Sequence, residues 1–297
     1  MSKKEIKSYM DKTKYIFSPI YYMGNKYKLL KYILPLFPDN IENFYDLFGG
    51  SGVVSINVSA KNKYYNEINE NVYNLFKMFQ DNKPEQLDEY ISGKIKEFNI
   101  KHFDKNYKEH IDEQQAYYDF RNYYNSQDVK DYRDLYILIC YSMNHLMRFN
   151  SKNEFNASVG STQRYVKEYI YNAYEPMKQV NISCKNYKEV PIKENCFVYC
   201  DPPYFNTLAV YNEKKAYGGW SIKDDLELFE YLEHLDKRNI KFGLSNVFKN
   251  RGKTNEHLIE WCDKNNWEVY HLSRNYNPFS KGNSNNDEVY ITNYKGV

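Results

Sequence analysis

The sequence predicts an α/β fold in which alternating strands and helices are interrupted by a mostly helical insert. Short apolar runs of strand length alternate with helix-length segments near both ends of the chain, whereas residues 71–141 follow helical spacing with few strand signals. With 297 residues, 42% of them hydrophobic, the chain can bury the core of one large domain or two modest ones. We therefore predict a discontinuous α/β domain, residues 1–78 and 181–297, that carries a helical domain at 79–180.

A glycine turn follows the first predicted strand. Residues 43–48 lead into Gly49, Gly50 and Gly52, and a helix-like segment comes next, so the pattern is strand, tight turn, helix. A second short strand is predicted around 63–66 and ends at Glu67. Helical spacing then begins near residue 71, with an apolar face made of Val72, Leu75, Phe76 and Phe79.

Strands and helices alternate again from about residue 195. Residues 197–200 form a compact apolar run that predicts a buried strand ending at Asp201. Ser221 with Asp224 predicts the N-terminal cap of a helix. The apolar residues that this helix is expected to bury are Leu226, Phe229, Leu232 and Leu235. The remaining predicted elements are a strand at 240–244, a helix at 254–264, a strand at 267–272 and a closing strand at 289–294.

Composition argues against several protein classes. Five cysteines and no apolar stretch near the amino terminus argue against a disulfide framework and favour a reducing cytoplasm. Cys196 and Cys200 have no second cysteine pair or histidine cluster nearby, so no metal is expected. The apolar run at 135–140 is too short to cross a bilayer. We therefore expect a cytoplasmic protein, monomeric, without membrane association.

Basic side chains are concentrated in two segments, although the formal net charge is only +2. Residues 1–40 carry eight basic and three acidic side chains, and residues 141–190 carry seven and four. Such segments can form a phosphate-facing surface without a strongly basic chain. The 33 tyrosines could stack on bases, but abundant Lys, Asn and Ile also fit biased codon usage. This pattern favours nucleic-acid binding without establishing it.

The glycine turn is a candidate cofactor-binding loop. In open α/β sheets, ligands bind at the carboxyl ends of the strands. Gly50 and Gly52 let the backbone approach a ligand closely. Glu67 lies about 20 residues beyond Asp46, where an acidic residue commonly binds ribose hydroxyls. The longer dinucleotide fingerprint is missing, which disfavours a nicotinamide cofactor.

The segment Asp201-Pro202-Pro203-Tyr204 is the most specific motif. Two prolines fix φ and have no N–H, so the segment cannot continue as an interior strand. It provides a rigid turn with a carboxylate on one side and an aromatic ring on the other. Asp201 and the Pro202 carbonyl could accept two N–H bonds from an exocyclic amine while Tyr204 stacks on the ring of the base. This combination favours a nucleobase substrate.

Six segments stand in the order in which they occur in a known family. They are residues 22–30 (YMGNKYKLL), 44–52 (FYDLFGGSG), 66–68 (NEI), 201–204 (DPPY), 240–247 (IKFGLSNV) and 287–291 (DEVYI). Over most of its length the chain thus resembles the Dam-type DNA adenine methyltransferases, including the phage branch, of the alpha group of amino-methyltransferases. The resemblance implies a Rossmann-like methyltransferase sheet, a target-recognition domain at 79–180, and methylation of a flipped adenine.

The resemblance also implies S-adenosylmethionine as the cofactor. The residues expected to bind it are Tyr22, Lys26, Asp46, Phe48, Gly50, Gly52, Glu67 and Asp201. The residues expected to act in catalysis are Asp201, Pro202, Pro203 and Tyr204. Glu67 stands where the family usually has Asp, and its longer side chain can still accept both ribose hydroxyls.

Residues 148–156 (RFNSKNEFN) resemble the family's Arg-x-Asn…Phe-Asn segment beside the cofactor and DNA. DNA contacts are accordingly expected from Arg148, Asn150 and Arg164. The family often continues with Pro and then Gly, whereas this chain has Ala157 and Gly160 without the proline. Because proline fixes the backbone, its absence affects the conformation of this loop and hence which DNA sequence the protein recognises.

Double-stranded DNA is the expected partner, with GATC as one candidate site and a cognate restriction endonuclease as one candidate partner. Asp before Pro-Pro-Tyr favours adenine through the resemblance, not through physics. Other readings stay open. The same fold could methylate N4 of cytosine or adenine in RNA, or the chain could be a non-catalytic nucleic-acid-binding relative.

Overall fold

The computed structural model describes residues 15–101, 111–161, 163–204, 220–250, 252–272 and 286–295. These residues belong to two compact units, each assembled from separate stretches of the chain. The helical unit comes from Met1–Tyr27, Gly50–Asn57 and Asn69–Val180. The sheet unit comes from Lys28–Gly49, Val58–Ile68 and Asn181–Val297.

The helices and strands of the described residues are numbered in chain order. The α-helices are α1 (Leu30–Ile33), α2 (Val53–Asn57), α3 (Glu70–Asp81), α4 (Pro84–Glu97), α5 (Ile111–Ser126), α6 (Tyr132–Tyr141), α7 (Lys167–Lys178), α8 (Ile222–Lys237) and α9 (Glu256–Asn265). The strands are β1 (Ile41–Asp46), β2 (Ala60–Asn66), β3 (Val180–Ser183), β4 (Cys196–Cys200), β5 (Lys241–Asn250), β6 (Lys253–Thr254), β7 (Glu268–His271) and β8 (Asp287–Thr292).

The strands within the described ranges form one sheet in the order β3-β2-β1-β4-β5-β8-β7, and β6 pairs with β5. β1 runs parallel to β2 and β4, and β4 runs parallel to β5. β8 is antiparallel to both β5 and β7. The predicted α/β fold is confirmed: the central strands β2, β1, β4 and β5 run parallel, and the antiparallel pairs are β5–β6, β5–β8 and β7–β8.

One face of the sheet is covered by α8 and α9. The central strands contribute Tyr45, Val198 and Leu244 to this core, and the helices contribute Leu232 and Leu258. All five side chains are almost fully buried. Strands buried in this way read as continuous apolar runs, which is why residues 197–200 could be recognised as a strand.

Helix α8 begins where the sequence predicts, but it buries a different set of residues. The side chain of Ser221 and that of Asp224 cap it reciprocally. Leu226, expected in the core, is 48% exposed, and Leu228 is buried instead. The buried stripe includes position 225, one residue earlier than predicted, so Leu226 faces away from the core.

Helix α6 is the centre of the helical unit. Its residues 134–141 are all buried, and α3, α4 and α5 pack against it. The predicted apolar face of α3 is confirmed, because Val72, Leu75, Phe76 and Phe79 are all buried. The side chain of Gln80 donates hydrogen bonds of 2.7 Å to the carbonyls of Met177 and Val180, which ties α3 to the end of α7.

Strand β3 has no counterpart among the predicted strands. It has four residues, and two of its own polar side chains make specific contacts: Asn181 Nδ2 donates to the Lys63 carbonyl at 3.1 Å, and Ser183 Oγ donates to Asn66 Oδ1 at 2.8 Å. A short edge strand fixed by such long-range bonds has no local periodic signal. Separately, none of the helices in the described part of the chain has the length and apolar character needed to span a membrane.

Candidate active site

Three acidic residues follow the carboxyl ends of parallel strands in the sheet unit. Asp46 is the last residue of β1 and pairs with Tyr65 of β2 and Tyr199 of β4. Glu67 directly follows β2, and Asp201 directly follows β4. Because these strands are parallel neighbours, the three residues lie at the same edge of the sheet, where open α/β sheets bind ligands.

The buried thiol of Cys200 is influenced by two of these acids. Burial raises the pKa of Cys200 well above its ordinary value, and the charges of Asp46 and Asp201 raise it further. The thiol therefore stays protonated and is no nucleophile. The same observation places the charges of Asp46 and Asp201 near one side chain, as the strand register requires.

Asn66 fixes the backbone that presents Glu67. Its side-chain amide donates to the carbonyl of Leu47 at 3.2 Å and to that of Lys185 at 3.0 Å. Its own carbonyl accepts a 2.9 Å bond from the amide of Gly49. Glu67 is only 6% exposed. The loop after β1 and the end of β2 are thus held together as one rigid edge.

Gly49 is required by packing, which the sequence did not indicate. A Cβ at this position would lie 2.1 Å from Cε2 of the buried Tyr65 ring. Gly50 and Gly52, in the helical unit, have φ values of 50° and 71°, in the left-handed region that favours glycine. A Cβ on Gly50 would lie 3.0 Å from Cδ1 of Tyr22. Two residues predicted to contact the cofactor, Gly50 and Tyr22, are therefore neighbours.

Lys26, also in the helical unit, is buried with 5% of its surface exposed. Its ammonium group donates a 3.0 Å hydrogen bond to the carbonyl of Gly24. A buried ammonium group is well suited to meet a negatively charged ligand group, since burial has already removed much of its hydration.

Phe48 is held between two aromatic rings of the sheet unit. The ring of Trp220 meets it edge-on, with centroids 5.6 Å apart, and Tyr187 lies 5.1 Å away on a tilted plane. Trp220 Nε1 donates a 2.8 Å hydrogen bond to Asp225 Oδ1. Sequence reasoning missed Trp220 and Tyr187 because they are remote in sequence from the glycine turn.

The predicted catalytic segment begins where β4 ends. Asp201 is half-buried, Pro202 is buried and Pro203 is exposed. Tyr204 is half-buried, and its hydroxyl donates a 3.3 Å hydrogen bond to Glu288 Oε1 of β8. Burial raises the pKa of Tyr204, and the charges of Asp201 and Glu288 add to this effect. Glu288 is a contact that the sequence analysis did not anticipate.

Residues 148–156 form a closed hairpin in the helical unit. Arg148 Nε donates to Asn156 Oδ1 at 2.8 Å, and Arg148 Nη2 donates to the Asn156 carbonyl at 2.7 Å. The Asn150 side chain accepts bonds from the amides of Lys152 and Glu154 and donates to Glu154 Oε2 at 2.7 Å. The side chains of Arg148 and Asn150 thus build the hairpin, and its exposed tip is 151–154.

The third residue expected at DNA, Arg164, is exposed after the hairpin. Its charge lowers the pKa of Tyr141, although burial raises that pKa to about 12. Arg164 therefore lies near the end of α6, in the same unit as the hairpin. The roles predicted for Arg148, Asn150 and Arg164 in DNA binding stay predictions.

The residues at the sheet edge fit a nucleoside cofactor and an amine substrate. Asp46 and Glu67 offer buried carboxylate acceptors for hydroxyl or amine groups, and Phe48 offers an apolar ring. Asp201 offers a half-buried acceptor beside them. Within the described residues, no group of three or more His, Cys, Asp or Glu side chains is placed to hold a metal ion.

Known proteins are similar to this chain in sequence. The profile of the family described as D12 class N6 adenine-specific DNA methyltransferase matches residues 22–276. The chain is 34% identical over 294 residues to modification methylase StsI of Streptococcus sanguinis, covering 95% of this chain and 43% of that protein. It is also 34% identical over 306 residues to type II methyltransferase M.FokI of Planomicrobium okeanokoites, covering 99% and 45%.

A third relative is matched over most of its length. The chain is 28% identical over 240 residues to the DNA adenine methylase of Escherichia coli K12, covering 75% of this chain and 78% of that protein. It spans less than half the length of the first two relatives. The family match includes the glycine turn, the hairpin and the Asp-Pro-Pro-Tyr segment, and the sheet is consistent with a Rossmann-like methyltransferase fold. The resemblance found in the sequence is confirmed, and the chain belongs to the D12 class N6 adenine-specific DNA methyltransferase family.

Proposed function

We propose that this chain is a site-specific methyltransferase that transfers a methyl group from S-adenosylmethionine to N6 of a flipped adenine in double-stranded DNA. One observation carries the proposal: Asp201 directly follows β4, at the sheet edge that also holds Asp46 and Glu67. An acceptor for an exocyclic amine therefore lies on the same edge as acceptors for a nucleoside cofactor. Membership of the family supports the same reaction.

The chain must make a poor nucleophile react. Bound S-adenosylmethionine supplies an electrophilic methyl group. The lone pair of adenine N6 is conjugated with the ring, and hydrogen bonds from N6–H to Asp201 and the Pro202 carbonyl would localise it on nitrogen. These two acceptors would also stabilise the positive charge that develops on nitrogen. Because Pro202 and Pro203 fix the turn, both acceptors are held in place before the base arrives.

Tyr204 provides a surface for the extruded base. Taking a base out of the duplex costs roughly a few kcal/mol. Stacking on an aromatic ring offsets about 1–3 kcal/mol of that cost. A half-buried ring directly after the proline turn is suited to this role.

Glu67 is proposed to accept hydrogen bonds from the ribose hydroxyls of the cofactor, with Asp46 and Phe48 contributing beside it. The rigid bonding of Asn66 to the loop after β1 supports this, because it fixes the backbone at Glu67. Contacts of Tyr22, Lys26, Gly50 and Gly52 with the cofactor are part of the same proposal, as the resemblance implies.

DNA recognition is assigned to residues 79–180, with 1–78 and 181–297 assigned to catalysis. The hairpin at 148–156 supports this assignment, because it is rigid and presents the exposed cation Lys152 at its tip. Rigid elements that carry a few polar tips are suited to groove contacts. The proposed DNA-contacting surface also includes Arg148, Asn150 and Arg164.

Two relatives carry names that suggest a biological setting. One is named a modification methylase and the other a type II methyltransferase. We propose that this chain likewise modifies a specific site, in the cytoplasm and as a monomer, and protects it from a cognate restriction endonuclease. GATC is one candidate for that site.

The proposal is tested by following labelled methyl groups. Wild-type protein and the Asp201→Asn variant are incubated with methyl-labelled cofactor and either duplex DNA or RNA, and the products are digested to nucleosides. We expect label in N6-methyldeoxyadenosine, and a turnover about 10²–10³-fold lower in the variant, because one acceptor at the reacting amine is weakened. Cofactor binding should persist in the variant, though weakened.

The same digest separates the alternatives. Label in N4-methylcytosine would show that cytosine is the methyl acceptor, and label only in RNA would show that RNA is the substrate. Cofactor binding without any label would indicate a non-catalytic relative. Near-normal turnover of Asp201→Asn would contradict the role of this carboxylate. Glu42→Gln, which removes an exposed carboxylate of β1, serves as the control.

A further inference from the structure

The hydroxyl of Tyr204 faces two carboxylates. It donates to Glu288 Oε1 at 3.3 Å, and Asp201 is also within hydrogen-bonding reach of it. Burial raises the pKa of Tyr204 well above its ordinary value, so the hydroxyl keeps its proton. A tyrosine hydroxyl has a single proton and can donate to only one carboxylate at a time. Glu288 and Asp201 therefore compete for one donor.

Glu288 is held by the sheet on both sides. It pairs with Val247 of β5, and its carbonyl accepts a 2.8 Å bond from the amide of Leu272. The neighbouring acid, Asp287, takes a different partner, since His271 Nδ1 lies 3.0 Å from its Oδ1. The carboxylate of Glu288 is thus placed by a strand with fixed register, which suits a residue that must hold another side chain in position.

The ring of Tyr204 has little other freedom. Two prolines with fixed φ precede it, so the chain leaves the end of β4 along a defined path. Rotation about its two side-chain torsions still has to be restricted if the ring is to present one face to a base. A hydrogen bond at the far end of the ring supplies that restriction.

We propose that Glu288 is a positioning residue for methyl transfer: by competing with Asp201 for the hydroxyl of Tyr204, it orients the ring and limits how far that hydroxyl occupies the carboxylate that meets the substrate amine. The inference depends on the proposed function, because it assigns Asp201 to that amine. When Glu288 loses its charge, the hydroxyl turns to Asp201, the stronger acceptor, and occupies an oxygen that the substrate needs.

A double-mutant cycle tests this role. Single-turnover methylation of duplex DNA is measured for the parent, Glu288→Gln, Tyr204→Phe and the double variant. We expect Glu288→Gln to slow methyl transfer about tenfold, while the affinity for S-adenosylmethionine changes less than about twofold. In the Tyr204→Phe background the same change should alter the rate less than about twofold, since no hydroxyl remains to compete for.

The matched control is Asp287→Asn, which removes a charge from the adjacent residue of the same strand. Its rate should stay within about twofold of the parent. A loss of similar size from Glu288→Gln with and without the Tyr204 hydroxyl would overturn the proposal, because it would show that the carboxylate only supports β8.

A readout independent of activity uses 3-fluorotyrosine placed at position 204. Glu288→Gln should move the fluorine resonance, and Asp287→Asn should not. An unmoved resonance in Glu288→Gln would overturn the inference even in a fully active enzyme. An inactive parent protein whose resonance still moves would overturn the proposed function, and the positioning role with it, while leaving the contact itself established.

Discussion

Asp225 occupies a position in α8 where helical spacing favours an apolar residue. Its carboxylate is fully buried and accepts bonds from Trp220 Nε1 at 2.8 Å and from His257 Nε2 at 3.0 Å. These partners satisfy a group whose burial would otherwise be strongly unfavourable. Because Trp220 packs against Phe48, the buried acid also supports the ring beside the glycine turn.

This acid should make stability depend on pH in a defined direction. Burial raises the pKa of Asp225 in the folded protein above its ordinary value of 3.8. The folded state then binds the proton more tightly than the unfolded state, so the free energy of unfolding falls as pH rises from about 4 through the folded pKa, by at most about 1.4 kcal/mol per pH unit. Asp225→Asn removes this titration.

The measurement is urea unfolding of the parent and Asp225→Asn at a series of pH values, followed by tryptophan fluorescence. The stability of the parent relative to the variant should decline with rising pH across that window and level off above it. The exposed carboxylate Asp263, changed to Asn, controls for the loss of one negative charge. A difference that stays constant, or that favours the parent as pH rises, would contradict the assignment.

The hairpin at 148–156 is built by the side chains that the sequence assigns to DNA. Two hydrogen bonds of Arg148 to Asn156 close its base, and the rings of Phe149 and Phe155 meet edge-on 5.6 Å apart. Helix α5 supports it, since Asn125 Nδ2 donates to the Phe155 carbonyl at 3.0 Å and Asn125 Oδ1 accepts from the Phe155 amide at 2.9 Å. The element is therefore pre-formed before any DNA binds.

Two variants distinguish a residue that supports the hairpin from a residue that contacts DNA directly. Arg148→Lys keeps the positive charge but cannot reproduce both bonds to Asn156, so hairpin stability should fall by about 1.5–3 kcal/mol and DNA affinity should fall with it. Lys152→Ala removes the exposed cation at the tip, and the slope of log affinity against log salt should decrease by about one. Both are measured by DNA binding at a series of salt concentrations.

For Arg148→Lys the salt slope should stay at the parent value. Unchanged affinity in this variant would show that Arg148 acts only through its charge, as a direct phosphate contact would. An unchanged slope in Lys152→Ala would remove the hairpin tip from the proposed DNA surface. Lys61→Ala, which removes an exposed cation of β2 in the sheet unit, is the control for general electrostatic attraction.

At the scale of the whole chain, local patterns are sufficient for several of the strands and helices of the sheet unit. Apolar runs located β1 and β4, the Ser221–Asp224 pair located the start of α8, and the motif order indicated the family. The edge strand β3 lacked such a pattern because polar bonds to residues more than a hundred positions away define it. Leu226 lies outside the core, contrary to the prediction, because Asp225 and not an apolar residue fills the buried position.

The candidate site is likewise predictable only where its residues follow a strand with a local pattern. Asp46, Glu67 and Asp201 each follow a recognisable strand, and parallel topology brings strand ends to one edge. Glu288 lies in the 287–291 segment, but its contact with Tyr204 is not predictable, and neither are those of Trp220 and Tyr187 with Phe48, because only folding brings these residues together. The residues proposed to act directly each follow a strand that has a local pattern, whereas the contacts that hold them in position leave no local pattern.

Cofactor binding should be visible as a change in the stability of the folded protein. A ligand that binds only the folded state stabilises it by about 2.7 kcal/mol at a hundred times its dissociation constant. All three tryptophans, Trp220, Trp261 and Trp267, belong to the sheet unit, so their fluorescence reports the unit that carries Glu67 and Asp201. Urea unfolding with S-adenosylmethionine should therefore shift to higher midpoints.

The size of that shift should depend on the buried acid at the end of β2. Glu67→Gln weakens the acceptor for the ribose hydroxyls and should reduce the shift at the same cofactor concentration. The control variant Glu42→Gln changes an exposed carboxylate on the neighbouring strand. It should retain the full shift in the unfolding midpoint, because Glu42 lies away from the carboxyl edge of the sheet. Equal shifts in the two variants would place the cofactor away from Glu67, and no shift in the parent would remove S-adenosylmethionine from the proposed function, since a bound ligand must stabilise the state that binds it.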